Sequence, residues 1–145
     1  MKVKDLMQTD VVTLNVSDTL EVADTFMRLG LIRHLPVVDE DRRLIGLVAQ
    51  ADLLRASASS VLQLNRTAEK EWLGTVAVRD VMVVEVVTVT PDTEVTQAVD
   101  LLTAGKLGCL PVVEDARLVG ILTETDCLRY LSGLLKAMAE GEAPV

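Results

Sequence analysis

Aromatic side chains are almost absent from this chain of 145 residues, which contains one Phe, one Trp and one Tyr. The apolar residues, which make up 50% of the composition, are therefore mainly Val, Leu, Ile, Ala and Met. We expect them to form a tight aliphatic interior of the α/β type. A chain of this length is the size of one ordinary domain, so two halves would be small as independent cores and should pack together.

Histidine and cysteine are also scarce. His34 is the only histidine, so a histidine-based metal site is not expected. Cys109 and Cys127 do not have CxxC spacing, and we predict free thiols with a structural role, a reactive thiol being the alternative. The chain also lacks a GxSxG motif and a GxxxxGK phosphate loop, so we expect neither enzymatic activity nor a cofactor.

Basic residues are outnumbered, with 14 Lys and Arg against 22 Asp and Glu and a formal net charge of −8. Because binding to a nucleic-acid backbone needs clustered Lys and Arg, no nucleic-acid partner is expected. No apolar run approaches the roughly 20 residues that cross a bilayer, and no signal-peptide core follows the N-terminal lysines. We therefore expect a cytoplasmic protein without membrane contact.

The chain does contain an internal duplication. LPVV occurs at residues 35–38 and again at 110–113, and the segments GLVAQAD and GILTETD follow these two copies. VVT precedes each copy, and matching motifs of the two copies are about 75 residues apart. We interpret the chain as a first repeat at residues 1–62, a connector at 63–75, a second repeat at 76–139 and a tail at 140–145.

Each repeat shows the same order of hydrophobic periodicities, which predicts β-α-β-β-α. We expect an α/β fold in which two such repeats pack with pseudo-twofold symmetry. Asp18 and Glu21 stand at capping-box spacing before the first helix. The connector should be partly helical. The predicted strands are 11–14, 35–38, 44–48, 86–89, 110–113 and 118–122, and the predicted helices begin near residues 18, 51, 93 and 124.

These motifs together resemble a pair of CBS domains, the adenosine-nucleotide-sensing Bateman module. The resemblance rests on LPVV, the charged turn, the GLVAQAD and GILTETD segments and the LLR or CLR after them, over about residues 4–131. It implies a regulatory protein that binds an adenine nucleotide between the repeats and signals occupancy by conformational change to an unidentified regulated protein. AMP, ADP or ATP is the expected ligand, with NAD and S-adenosylmethionine left open.

The resemblance assigns ligand residues by position. Asp126 would accept hydrogen bonds from both ribose hydroxyls, since a carboxylate offers two acceptor oxygens to a cis-diol. Thr123 and Thr125, at the start of the same helix, would face sugar or phosphate. The first repeat would contribute Val11 and Ile32 around the adenine and Arg33 and His34 near the phosphates.

The mirror-image positions define a second, degenerate site. It keeps the aspartate as Asp52 and has Val86 and Leu107 in place of the two apolar residues. The main site combines the hydroxyls of Thr123 and Thr125 from the second repeat with Arg33 and His34 from the first, and the second site has none of these groups. We therefore predict one phosphate-competent site per chain. The second site would be vacant or take a less charged ligand. The threonines and basic residues of the main site are replaced by Ala49, Ala51, Gly108 and Cys109.

Alternatives exist for each of these assignments. Thr123 and Asp126 also have the spacing of a helix capping box, which would stabilise a helix without any ligand. His34 is equally well explained as a partly buried residue bonded to the backbone. The resemblance implies a homodimer through the helices of both repeats, and apolar stripes at residues 53–62 and 128–135 suit that interface. A dimerisation module that binds no nucleotide, or an enzyme with an unfamiliar cleft, therefore stay open.

Overall fold

A computed structural model describes residues 1–60 and 66–141 of the chain. Each predicted repeat contains a helix, two strands and a second helix in that order, so the predicted α/β class is confirmed. A helical turn of the 3-10 type lies near the start of each repeat, at Val3–Asp5 and Val78–Asp80. The elements are β1 (Leu14–Asn15), α1 (Leu20–Gly30), β2 (His34–Val38), β3 (Leu44–Ala49), α2 (Gln50–Ser60), α3 (Arg66–Leu73), α4 (Val95–Gly105), β4 (Cys109–Glu114), β5 (Arg117–Thr123) and α5 (Glu124–Ala139).

The chain divides into two compact units, and each of them takes residues from both repeats. We name them after the aspartates that they contain. The repeat boundaries predicted from the sequence stay a prediction. The Asp126 unit comprises Met1–Val11, Val87–Glu114 and Val119–Val145, and the Asp52 unit comprises Val12–Val86 and Asp115–Leu118.

The Asp52 unit contains a three-stranded sheet in the order β1-β2-β3. β1 runs parallel to β2, and β2 runs antiparallel to β3 with His34 opposite Ala49. The helices α1, α2 and α3 contribute apolar side chains to the core that these strands help to form. The core side chains are Leu14, Leu20, Ala23, Met27, Leu35, Val37, Val48, Leu53, Leu73 and Val78.

The Asp126 unit contains β4, most of its partner strand β5, and a core that includes the start of the chain. Val3 is completely buried, and its amide donates to the carbonyl of Thr93 at 2.8 Å. The amide of Val95 in turn donates to the carbonyl of Met1 at 3.0 Å. The N-terminal segment is therefore a structural part of this unit. The core side chains are Val3, Val89, Ala98, Leu102, Leu110, Val112 and Leu122.

The glycine that opens each GLVAQAD or GILTETD segment allows a close backbone crossing. A Cβ on Gly120 would lie 2.7 Å from Sδ of Met7 and 2.9 Å from the carbonyl oxygen of Gln8. A Cβ on Gly46 would likewise lie 2.6 Å from Sδ of Met82. Since real Cβ atoms do not approach a backbone oxygen so closely, Gly120 requires glycine for packing, whereas a Cβ on Gly46 would require the Met82 side chain to move.

Some predicted elements differ from the structure. The strand predicted at residues 11–14 is reduced to β1. Of the residues predicted as a strand at 86–89, only Val89 forms a β-bridge, with Val112. The capping box predicted at Asp18 is wrong. The Asp18 carboxylate accepts the amide of Asn15 instead, and the first amide of α1, that of Leu20, donates to the carbonyl of Val76. A distant backbone group therefore replaces the expected local cap.

Candidate ligand-binding site

Thr123 and Asp126 meet where β5 ends and α5 begins. Thr123 is the N-cap of α5, and its hydroxyl accepts the amide of Asp126 at 3.2 Å. Oδ2 of Asp126 accepts both the amide and the hydroxyl of Thr123, each at 2.9 Å. The capping-box interpretation of this pair is therefore confirmed. The carboxylate is 6% exposed and lies in the first helical turn, where the helix dipole favours negative charge.

The second oxygen of this carboxylate has a partner that the sequence did not reveal. Oδ1 of Asp126 accepts a hydrogen bond from the side-chain amide Nε2 of Gln8 at 2.7 Å. Gln8 is held in place because its amide and carbonyl each pair with the backbone of Ile121 at 2.9 Å. Nη1 of Arg129 lies farther away, at 3.7 Å from Oδ1.

Two signals in the sequence could have identified these partners. The position equivalent to Gln8 in the second repeat is Val83, so an amide occurs in one copy only. Arg129 belongs to the CLR triplet, whose counterpart LLR carries Arg55. The signal at Gln8 required a comparison of the two repeats outside the known motifs, whereas Arg129 lies inside one of them.

The start of α5 has further polar groups. The amide of Glu124 donates to the carbonyl of Gly108 at 3.0 Å, and that of Asp126 donates to Thr123. Thr125 lies between these two residues and its side chain is exposed. Its hydroxyl is therefore the accessible one of the two threonine hydroxyls, whereas that of Thr123 is engaged in the cap.

Asp52 occupies the matching position at the start of α2 with fewer donors around it. Its Oδ2 accepts the amide of Ala49 at 2.8 Å, and Oδ1 is bound by Nη2 of Arg55. Ala49 has no hydroxyl and Val83 has no side-chain amide. Asp52 is therefore paired with a guanidinium, whereas the nearest donor to Oδ1 of Asp126 is a neutral amide.

The predicted main-site residues are distributed over both units. Val11, Thr123, Thr125 and Asp126 belong to the Asp126 unit, whereas Ile32, Arg33 and His34 belong to the Asp52 unit. The second site is divided in the same way. Asp52 and Val86 lie in one unit and Leu107 lies in the other. Ile32 and Leu107 each pack against the core of their own unit.

Arg33 and His34 connect the loop after α1 to β2. The carbonyl of Arg33 accepts the amide of Gln50 at 2.8 Å, and its side chain is exposed. Arg33 borders an open cavity of about 660 Å³, whose lining also includes Asp24 and Arg28. Nε of Arg28 donates to both oxygens of the buried Asp24 at 2.9 Å, so that guanidinium is already paired. His34 is partly buried and begins β2.

Both cysteines are free thiols, as the sequence predicted. Burial raises the pKa of Cys109 to about 12. The pKa of Cys127 is raised as well, first by burial and then by the charges of Asp126 and Glu124. Neither thiol is activated as a nucleophile. Within residues 1–60 and 66–141, no group of three or more His, Cys, Asp or Glu side chains could hold a metal ion.

The helix faces that were expected to form an interface are only partly exposed. Leu53 is buried in the core of the Asp52 unit, so the stripe predicted from residue 53 does not start there, whereas Leu54 is exposed. Residues 61 and 62 of that stripe lie outside the described residues. In the second stripe, Leu128, Leu131 and Leu135 are all exposed. In the part of the chain that the structure describes, no helix is long and apolar enough to cross a membrane.

Comparison with known proteins identifies the family. A family model for the CBS domain matches the chain twice, at residues 3–59 and 78–133. The chain belongs to the CBS domain family. A CBS domain-containing protein of Dictyostelium discoideum is 34% identical over 135 residues, which covers 92% of this chain and 93% of that protein. An inosine-5′-monophosphate dehydrogenase of Methanocaldococcus jannaschii is 32% identical, but the match covers only 23% of that enzyme.

Solved structures of CBS pairs share the fold. A Vibrio cholerae protein described as acetoin utilization protein AcuB is 34% identical, with a TM-score of 0.81 over 99% of this chain and 98% of that chain. The CBS pair of MJ0100, solved with 5′-methylthioadenosine and S-adenosyl-L-methionine, is 25% identical, with a TM-score of 0.78 and 92% and 97% coverage. CBSX2, solved with AMP, is 28% identical, with a TM-score of 0.77 and 92% and 98% coverage.

Proposed function

We propose that this CBS pair is a regulatory module that reversibly binds an adenine nucleotide and passes its occupancy to a partner protein. The observation that carries the proposal is the carboxylate of Asp126. It is buried at the start of α5, and its nearest partner on Oδ1 is a neutral, exposed side chain. A ribose diol, with two hydroxyl donors side by side, is the kind of group that such a carboxylate recognises.

The ligands of two similar proteins support this choice. CBSX2 was solved with AMP, and the pair of MJ0100 was solved with two adenosine derivatives that differ from a nucleotide in charge. All three ligands contain adenosine. Thr125 would add an exposed hydroxyl beside Asp126, and Val11 would supply an apolar contact from the same unit. For a phosphorylated ligand such as AMP, ADP or ATP, Arg33 would supply positive charge and His34 an imidazole N–H donor.

Asp52 differs in a way that favours one working site. Its Oδ1 is bound by the charged Arg55, and Ala49 and Ala51 provide no hydroxyl beside it. A sugar hydroxyl would have to share Oδ1 with a charged partner, and bonds between charged groups are the stronger ones. We therefore propose that Asp126 dominates nucleotide binding.

A calorimetric titration tests the proposal. The purified protein is titrated with AMP, ADP, ATP, NAD and S-adenosylmethionine, and Trp72 fluorescence is recorded in parallel. Asp126→Ala and Asp52→Ala are the matched pair of variants. We expect saturable binding of about one ligand per chain that Asp126→Ala abolishes and Asp52→Ala keeps. The absence of heat with every ligand at millimolar concentration would leave a dimerisation module as the better explanation.

Arg33 and His34 need a separate test because they lie in the other unit from Asp126. Arg33→Ala should weaken the binding of ATP more than the binding of adenosine, since only ATP carries phosphates for the guanidinium to bind. His34→Ala should act in the same direction. Equal losses for both ligands would show that these residues do not contact phosphate.

We further propose that the protein forms a homodimer through α5. Leu128, Leu131, Leu135 and Met138 lie three or four residues apart and are all exposed, which places apolar side chains on one helix face. Light scattering after size-exclusion chromatography should give a dimer mass for the wild type. Leu131→Glu combined with Leu135→Glu should give a monomer, whereas Val84→Glu, at an exposed position outside the helices, should not. A wild-type monomer at high micromolar concentration would contradict the proposal.

Signalling follows from linkage. A ligand that prefers one arrangement of the protein shifts the population toward that arrangement by no more than its difference in affinity. The regulated partner would bind one of these arrangements more tightly. Binding of the partner and of the nucleotide must then affect each other by the same factor, which gives a criterion for recognising the partner.

A further inference from the structure

We infer that Gln8 competes with the ribose diol for the Asp126 carboxylate, so that ligand binding detaches the Gln8 side chain from α5. This inference rests on the proposed function and adds to it a residue that sets affinity. The bond from Nε2 of Gln8 to Oδ1 of Asp126 measures 2.7 Å, and it joins a solvent-exposed amide to a buried carboxylate.

The acceptor positions of Asp126 explain why both groups cannot bind in full. Each carboxylate oxygen accepts about two hydrogen bonds. Both positions on Oδ2 are taken by the amide and the hydroxyl of Thr123. On Oδ1, Gln8 takes one position and leaves one. A diol that donates two hydrogen bonds therefore needs one more position than is open, and the exposed Gln8 side chain is the partner that can leave.

Release of the Gln8 side chain from Asp126 would affect the N-terminal segment, residues 1–11. The backbone of Gln8 pairs with Ile121 on β5, and Met7 lies against Gly120. Farther upstream, the buried Val3 and the backbone bonds of Val3 and Lys4 to Thr93 and Pro91 keep the start of the chain in place. The Gln8 side chain is thus the contact that links the state of Asp126 to the residues beside Gln8.

The second repeat provides a natural comparison. Val83 holds the equivalent place beside β3, where its amide and carbonyl pair with Leu47 at 2.9 Å. Valine therefore fits this backbone arrangement without a bond to the aspartate of its unit. This makes Gln8→Val a substitution that removes the competing amide and keeps a residue type that the chain already uses there.

The experiment measures AMP affinity and backbone exchange in the same proteins. Gln8→Val and Gln8→Met remove the donor, and Thr9→Val changes an exposed neighbour as the matched control. We expect both Gln8 variants to bind AMP about three- to tenfold more tightly than the wild type, because a bond to a charged group no longer has to break. The expected gain is modest because Gln8 is exposed. Thr9→Val should bind as the wild type does.

Hydrogen–deuterium exchange provides the second readout. AMP should speed exchange of the wild-type segment at residues 7–9, whereas in Gln8→Val the segment should already exchange faster and AMP should add nothing. Unchanged affinity in both Gln8 variants, or protection of this segment by AMP in the wild type, would overturn the inference. If AMP binds the wild type through Asp126 but Gln8 has no effect, only the competition is wrong. If AMP binds none of the proteins, the proposed function is wrong as well.

Discussion

Thr123→Ala tests the geometry of the site most sharply, because the first repeat already has alanine at the equivalent position, Ala49. The substitution removes the hydroxyl that accepts the amide of Asp126 at 3.2 Å and donates to its carboxylate at 2.9 Å. Loss of a threonine N-cap costs about 1 kcal/mol, and loss of a hydrogen bond to a charged group adds roughly 1 kcal/mol. Oδ1 of Asp126 keeps Gln8 and Oδ2 keeps the Thr123 amide, so no unpaired charge is created.

We therefore expect the free energy of unfolding to fall by about 1–2 kcal/mol and the melting temperature by about 3–8 °C. Urea unfolding followed by circular dichroism measures the change. An unchanged m-value would show that the substitution does not alter the compactness of the unfolded state. Thr125→Ala is the control, since Thr125 is exposed, and it should stay within about 0.5 kcal/mol of the wild type.

The reverse substitution, Ala49→Thr, should stabilise the protein by about 0.5–1 kcal/mol, because Asp52 stands at the same spacing from it. Equal costs for Thr123→Ala and Thr125→Ala, or a neutral Thr123→Ala, would refute the assignment of Thr123 as a cap.

Three further predictions concern the rest of the chain. Gly120→Ala should destabilise the protein by more than about 1 kcal/mol in the same urea assay, because its Cβ would lie 2.9 Å from a backbone carbonyl oxygen. Gly133 lies on α5 with open space around it, so Gly133→Ala should stabilise the protein by up to about 1 kcal/mol. Asp24→Ala should cost about 1–3 kcal/mol, since it removes the buried carboxylate that accepts from Arg28. Substitution of the exposed Asp100 by alanine should cost little. Cys109 should resist thiol reagents at pH 8 until the protein unfolds. Burial raises the pKa of Cys109 to about 12, so between pH 8 and pH 10 the thiol ionises in the unfolded chain only. The free energy of unfolding of the wild type should therefore fall by about 1–2 kcal/mol more than that of Cys109→Ala over this pH range.

The duplication made the fold and the paired aspartates predictable from sequence. Asp52 and Asp126 were located because each follows a glycine and a short apolar strand at a constant offset. The helices were predictable for the same reason, and α5 begins where the periodicity placed it. Local patterns that occur twice are strong predictors because a chance match would have to occur in both copies.

Contacts between distant parts of the chain were not predictable in this way. Gln8 lies in a segment without helical or strand periodicity, and its partner Asp126 is far away in sequence. The cap expected at Asp18 failed for a related reason, since the carbonyl of Val76 satisfies the first amide of α1. Tertiary hydrogen bonds of this kind override local capping preferences, and a single sequence carries no periodic signal for them.

The central claim is that Asp126 holds a ribose diol. The most direct measurement compares the affinity of the wild type for AMP with its affinity for 2′,3′-dideoxyadenosine monophosphate, and repeats the comparison in Asp126→Ala. Each hydrogen bond to the carboxylate is worth about 1.5–3 kcal/mol, so the wild type should lose at least tenfold in affinity without the hydroxyls. Asp126→Ala should not distinguish the two ligands. Equal affinity of the wild type for both ligands would contradict the account.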